Sequence, residues 1–208
     1  MGSLKPLEVE QIQAGEMANF SYLVFCPTTR RAAAVDPSLA PERLLERARQ
    51  LNLHIETIIN THGHYDHIAG NDTLKAASGA PLAGHPADLP NADIPLEEGS
   101  RLAIGEGELS ILHTPGHTPG SITLHPPGAL ISGDTLFVTR VGRADLAGSD
   151  PQALYHSLLR LASFPDETTV YPGHDYGPQP ISTIGFEKNH NPFLQCKDLT
   201  SFLKLRMG

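Results

Sequence analysis

Thr61-His62-Gly63-His64-Tyr65-Asp66-His67 packs three imidazoles and one carboxylate into the six positions from His62 to His67. A run this dense in ligating groups must be aimed by a rigid scaffold and kept out of the apolar core. It follows directly on residues 55–60 (IETIIN), whose length and β-branching predict a short buried strand. In an extended loop alternate residues point the same way, so His62, His64 and Asp66 are expected to converge while His67 turns to a neighbouring point. One loop would then feed two ligand sites. Gly63 lets the backbone bend between the first two imidazoles, and Gly70 is expected to end the loop.

Three further segments repeat the arrangement of a strand followed by a ligating side chain. Thr114-Pro115-Gly116-His117-Thr118-Pro119-Gly120-Ser121 holds one imidazole in a turn restrained by Pro and Gly on both sides. Ser132-Gly133-Asp134-Thr135 follows the apolar Ala129-Leu130-Ile131, and Tyr171-Pro172-Gly173-His174-Asp175-Tyr176 closes a strand expected over residues 168–171. Imidazole and carboxylate without thiolate suit Zn, Fe or Mn at an open catalytic position better than a closed structural zinc. Cys26 and Cys196 are far apart and lack metal-site or disulfide-framework spacing, so two reduced, mostly buried thiols are expected. His54, His85, His113, His125, His156 and His190 stand alone and read as solvated or core-satisfied residues. His113, four residues before His117, is the one that could brace a ligand.

The rest of the chain supplies the scaffold. Residues 20–25 and 31–36 read as a hairpin around Pro27-Thr28-Thr29-Arg30, residues 41–51 as an amphipathic helix, 71–78 as a short helix and 80–84 as a strand. Later strands are expected near residues 101–104, 109–113, 121–125 and 129–132, each bounded by Gly or Pro. A helix over 151–162 and closing helices over 181–189 and 196–205 complete the order. The 19 Gly and 18 Pro agree with a turn-rich α/β chain. Two sheets, each from about half the chain and covered outside by helices, satisfy this sequence of elements. Met1-Gly2-Ser3 has the look of a cloning scar, so one catalytic domain is expected over residues 4–208. A formal charge of −8 with no run of Lys or Arg argues against nucleic acid as a partner. No apolar run approaches the length of a membrane span and no signal peptide is visible, so no membrane partner and a cytoplasmic location are expected.

With these residues in view, the chain resembles the metallo-β-lactamase superfamily, whose HxHxDH motif is matched by His62, His64, Asp66 and His67. The resemblance implies a four-layer αββα sandwich. It also implies that His62, His64 and His117 bind one metal, that Asp66, His67 and His174 bind a second, and that Asp134 bridges both. Two divalent ions about 3.5–4 Å apart can share a water and lower its pKa from about 15.7 toward 7, so a metal-bridging hydroxide is expected as nucleophile. Asp66 or Asp134 would orient it, with solvent or Asp66 delivering a proton to the leaving group. A side-chain nucleophile is then unnecessary, and the chain has no GxSxG.

Within the superfamily the chain looks most like glyoxalase II-type thioester hydrolases and their compact bacterial relatives, through Gly133-Asp134-Thr135-Leu136-Phe137, Gly142-Arg143 and Gly173-His174-Asp175-Tyr176. That likeness implies a small-molecule thioester substrate, glutathione-derived as in S-lactoylglutathione, with Tyr176 helping to hold it. Arg143 is a further substrate-contact candidate, although an ion pair with Asp145 bracing the site is the favoured role. The departure from the family lies after residue 181, where Lys188, Lys197, Lys204 and Arg206 are the cations available in place of a basic helical domain. Val141-Gly142-Arg143-Ala144-Asp145-Leu146 is also similar to persulfide dioxygenases of the same fold. By that alternative a single Fe(II) would sit on His62, His117 and Asp134, the two-His, one-carboxylate face of non-haem oxygenases.

Overall fold

The computed structural model describes residues 6–208, and the scar expected at Met1-Gly2-Ser3 lies outside them. The first half of the chain runs Glu8–Gln13 (β1), Phe20–Phe25 (β2), Arg31–Val35 (β3), Pro41–Gln50 (α1), His54–Ile59 (β4), Tyr65–Ile68 (α2), Asn71–Ser78 (α3), Leu82–Gly84 (β5) and Ile94–Pro95 (β6). The second runs Arg101–Ile104 (β7), Gly107–His113 (β8), Ile122–His125 (β9), Ala129–Gly133 (β10), Leu136–Phe137 (β11), Arg140–Val141 (β12), Pro151–Ala162 (α4), Thr169–Pro172 (β13), Ser182–Thr183 (β14), Ile184–His190 (α5) and Leu199–Met207 (α6). One sheet takes β1 to β6 in sequence order, the other has the order β14-β13-β10-β9-β8-β7, and β11 pairs with β12.

Alternation along β2 decides how the layers stack. Phe20, Tyr22 and Val24 face the second sheet and meet Leu109, Ile111, Ile122 and Ile131. Leu23 and Phe25 face the other way, onto Leu44 and Ala48 of α1 and Leu74 of α3. The far side of the second sheet is covered in the same manner, with Leu130 and Val170 packed on α4, Ile184 of α5 and Phe202 of α6. Helices, sheet, sheet and helices make the four-layer αββα sandwich. Truncating a fully buried central side chain such as Leu109 to Ala should cost about 2–5 kcal/mol.

The helices start and stop for local reasons. Pro41 opens α1 with Glu42 in its first turn and Arg47 and Arg49 in its last, each matched to the helix dipole. Asp150 caps α4 by accepting from the amides of Gln152 and Ala153 at 2.8 and 3.0 Å. Two closing elements differ from the sequence expectation. Ser182–Thr183 extends the second sheet instead of starting a helix at 181, and the Thr183 hydroxyl then caps α5. The last helix begins at Leu199, not at Cys196, because Asp198 and Ser201 form a capping box. β1 was not expected at all: its side chains are exposed or half-buried, so no alternation marks it.

Parallel pairing of β3 with β4 and of β10 with β13 brings the C-terminal ends of several strands to one edge, where such folds place their ligands. Tyr22 joins the two sheets at that edge, its buried hydroxyl donating to the Pro172 carbonyl. A register shift between Ile131 and Gly133 inserts a residue against β13 and re-aims the chain just before Asp134. Among the described residues no helix is long and apolar enough to cross a membrane. Cys26 is buried, Cys196 is half-buried, and both are free.

Candidate metal centre

The backbone leaving β4 bends at Thr61 and His62 and is extended at His64 (φ −68°, ψ 143°), whose carbonyl then accepts from the amides of His67 and Ile68 at 3.0 and 3.2 Å. This corrects the extended-loop expectation. His62 sits at a bend and His64 on extended chain, whereas Asp66 and His67 lie on the single turn of α2. Four residues are too few to show a helical period, and the Tyr65 side chain points out to solvent.

That change of backbone sorts the donors into two groups. Donor atoms of His62, His64 and His117 lie within 4.8 Å of one another, as do those of Asp66, His67 and His174. In the first group His117 Nε2 is 2.9 Å from His64 Nδ1. In the second, His67 Nε2 is 3.2 Å from His174 Nε2, and Asp66 Oδ2 lies 3.3 Å from His174 Nε2 and 3.6 Å from His67 Nε2. Asp134 stands between them, with Oδ2 3.5 Å from His117 Nε2 and 3.4 Å from His174 Nε2, and Oδ1 3.3 Å from His67 Nε2. Backbone approaches permit this crowding. A side chain at Gly173 would strike Asp134 Oδ1 at 2.3 Å, and Gly116 (φ +136°) lets the His117 turn press on the start of α4.

The residues present fit divalent cations. His62 Nε2 and Asp134 Oδ1 are buried without a hydrogen-bond partner among the described residues, which is unusual unless something else satisfies them. Electrostatics agree. Burial, then the neighbouring His67, holds the His62 pKa well below the ordinary imidazole value, and burial lowers that of His64. His67 goes the other way: burial opposes its charge, but Asp134 and Asp36 raise its pKa well above the usual value. Against the same opposition from burial, Asp134 and Asp66 raise His174 to about 9. Burial would raise Asp66 and Asp134, yet the adjacent imidazoles hold both well below the ordinary carboxylate range. Ionised carboxylates around protonated rings form a trap whose positive charge a metal can equally supply.

Several supporting residues had not been picked out from the sequence. Buried Asp36 accepts from the Thr61 amide and hydroxyl, both at 2.7 Å, and pairs with His67 Nδ1 at 2.9 Å. It closes an apolar strand just as Asp134 does, and that was its sequence signal. Asp88 staples the two histidine loops, accepting from the Gly63 and Gly120 amides at 3.0 and 2.7 Å and from the Thr118 hydroxyl at 2.6 Å. Asn19 and the Met17 carbonyl hold Asp66 and His174. These three are ordinary loop residues by sequence and carried no signal. His113 braces the His117 loop through Pro119 O at 2.9 Å and stacks on His85, 4.3 Å between ring centroids, rather than meeting a donor imidazole.

A cavity of about 630 Å³ opens onto the donors, with Met17, Phe137, Val141, Leu146 and Tyr176 as apolar wall and Arg140, Arg143 and Arg206 as basic wall. Arg143 forms a two-pronged exposed pair with Asp145 at 2.9 and 2.7 Å, while its carbonyl accepts from His117 Nδ1 at 2.9 Å. Arg206, on α6, donates to the Gly142 carbonyl at 2.9 Å. The Tyr176 ring stacks on His174, 4.6 Å between centroids, with its hydroxyl 3.5 Å from Met17 O.

Two sheets stacked between helices, with imidazole and carboxylate donors gathered at their common edge, define a metal-binding αββα sandwich. Residues 14–174 match the profile of the metallo-beta-lactamase superfamily, and the chain belongs to that superfamily. It is 42% identical over 178 residues to a hydroxyacylglutathione hydrolase of Rhodospirillum rubrum, an alignment covering 83% of this chain and 68% of that protein. The chain spans about two thirds of the length of the curated relatives it matches. Among solved structures, ETHE1 from Myxococcus xanthus superposes with a TM-score of 0.91 at 32% identity, covering 97% of this chain and 90% of that one. TTHA1623 in a di-iron-bound form superposes with a TM-score of 0.79 at 37% identity, covering 89% of this chain and all of that one.

Proposed function

We propose that the chain is a binuclear metallohydrolase of an acyl thioester, with a glutathione-derived substrate such as S-lactoylglutathione. The observation that carries this reading is the assembly of a complete second donor group, Asp66, His67 and His174, beside the first, with Asp134 within reach of both. The naming of the sequence relatives as hydroxyacylglutathione hydrolases supports the substrate class. Residues 4–208 would form one catalytic domain, since each donor group draws on both sheets.

His62, His64 and His117 would hold one divalent ion, Asp66, His67 and His174 the other, and Asp134 both; zinc and iron suit the donors, as does manganese. When bound, such ions make a water nucleophilic at neutral pH and polarise a carbonyl. The protein's own contribution is orientation and proton handling. Asp66 or Asp134 would orient the attacking water, and Asp66 or solvent would carry a proton to the departing thiolate. Tyr176 presents a phenol at the cavity wall, where it can turn from the Met17 carbonyl to substrate. Arg143, Arg140 and Arg206 give that wall positive potential for a carboxylate on the thiol half of the substrate.

A second reading, a mononuclear iron persulfide dioxygenase, is favoured by the near full-length fit to ETHE1. One experiment separates them. Protein purified without added metal should contain two ions per chain and consume S-lactoylglutathione, followed as loss of thioester absorbance. One iron per chain, with oxygen uptake on glutathione persulfide and no thioester cleavage, would sink the hydrolase.

A further inference from the structure

The segment that precedes β2 grips one donor group and leaves the other alone. The Met17 carbonyl accepts from His174 Nδ1 at 3.0 Å, and Asn19 forms an isolated antiparallel bridge to His174. On either side of that bridge the Asp175 amide donates to Ala18 O and the Phe20 amide to Gly173 O, each at 2.8 Å. The Asn19 side chain turns to the other end of the same group, where Nδ2 donates to Asp66 Oδ2 at 2.9 Å and to Asp66 O at 3.3 Å. Among the described residues no hydrogen bond joins residues 14–19 to His62, His64 or His117.

Two details make Asn19 more than a packing residue. Its amide holds Asp66 Oδ2, the oxygen that faces both His174 and His67. Its own Oδ1 is buried with no partner among the described residues, in a residue only 1% exposed. A leucine of the same size would fill that space without a stranded carbonyl oxygen, so the position is explained by the donor half of the amide. A neutral donor also adds no charge to a site that already contains Asp66 and Asp134.

We propose that Asn19 is a positioning residue for the second cation, fixing the Asp66 carboxylate in the rotamer that completes the set with His67 and His174. The inference rests on the two-cation reading above. A carboxylate on a one-turn helix has rotamer freedom of its own, and the charge-assisted bond from Asn19 removes it. The Asp66 backbone carbonyl does not depend on Asn19, because the Ser38 hydroxyl also donates to it, at 2.5 Å.

The test uses the full chain, stripped of metal and titrated with Zn(II) by calorimetry and with Co(II) by visible absorption. Wild type should take up two equivalents. Asn19→Leu should weaken the second equivalent by about 10–100-fold, leave the first and its Co(II) spectrum unchanged, and melt close to wild type when metal-free. Asn19→Ser, too short to reach Asp66 Oδ2, should do the same and decides the matter if the leucine variant fails to fold. Ser38→Ala should retain both equivalents. Unchanged second-site affinity in the Asn19 variants, or equal weakening of both sites, overturns the inference. Uptake of a single equivalent by wild type overturns the two-cation reading itself, and this inference with it.

Discussion

The two donor groups share Asp134 and one cavity, but they are built from different materials. The first is three imidazoles, two of them with depressed pKa, braced by a main-chain carbonyl from Arg143 and by the Asp88 staple between its loops. The second combines a carboxylate with two imidazoles of raised pKa, backed by buried Asp36, Asn19 and the Met17 carbonyl. His62 and His64, whose pKa values are held down, have less need to lose a proton before taking a cation than His67 and His174, whose pKa values are raised. Metal uptake by the first group is therefore expected to depend less on pH than uptake by the second.

The largest expected effect comes from erasing what the groups share. On the hydrolase reading, Asp134→Ala should remove several kcal/mol of transition-state stabilisation, a fall in kcat/KM on the order of 10³-fold or more. His67→Ala should approach that loss if hydrolysis needs both groups, and should be far milder for a one-iron oxygenase. Steady-state rates on thioester and persulfide, with metal counts for each variant, check this. Equal tolerance of both substitutions would contradict the division into two groups.

A smaller, continuous effect is expected from pH. His174 is raised from 6.5 to about 9 in the folded, metal-free protein, so its contribution to stability is complete below pH 6.5 and is lost as pH rises through 9. Metal binding runs oppositely, since protons must leave His67 and His174 first. The melting temperature of stripped protein should fall between pH 6.5 and 9 while the affinity for the second Zn(II) rises, and the first equivalent should change less. Parallel pH profiles for both equivalents would break the comparison.

The smallest effect concerns an outlying support of the first group. Arg160 pairs with Glu98 at 2.6 and 2.7 Å, and Glu98 accepts from the His113 amide at the strand end before the His117 turn. Both side chains are well exposed, so Arg160→Ala should lower stability by less than about 1 kcal/mol in denaturant titrations. That loss should vanish in acid, because the pair holds Glu98 below its ordinary pKa and contributes only while the carboxylate is ionised. Neither metal equivalent should change.

How much of this was readable beforehand follows from the range of the interactions. The seven candidate donors announce themselves through their density and their places after apolar strands, and α1 and α4 through period and a proline in the first turn. The turn at α2 was not readable, since His64 to Ile68 is too short for a pattern and its stability comes from the His64 carbonyl. β1 carries Glu, Gln and Val with neither face fully buried, so only its pairing with β2 makes it a strand. Asn19, Asp36 and Asp88 act on partners tens of residues away, a relation no local window contains.

The edge where the sheets meet has a consequence for how the protein is made. His62, His64, Asp66 and His67 come from the first half of the chain, but neither group closes without a residue of the second, His117 for one and His174 for the other. A nascent chain that has just completed the first sheet thus carries most of the donors and no finished site. On the two-cation reading, competence for the first cation would arrive after the His117 turn is synthesised and docked, and competence for the second only after His174 has emerged. The order of the ligands along the chain would thus stagger the two groups during synthesis, the first being complete in sequence before the last strands of the second sheet have been made.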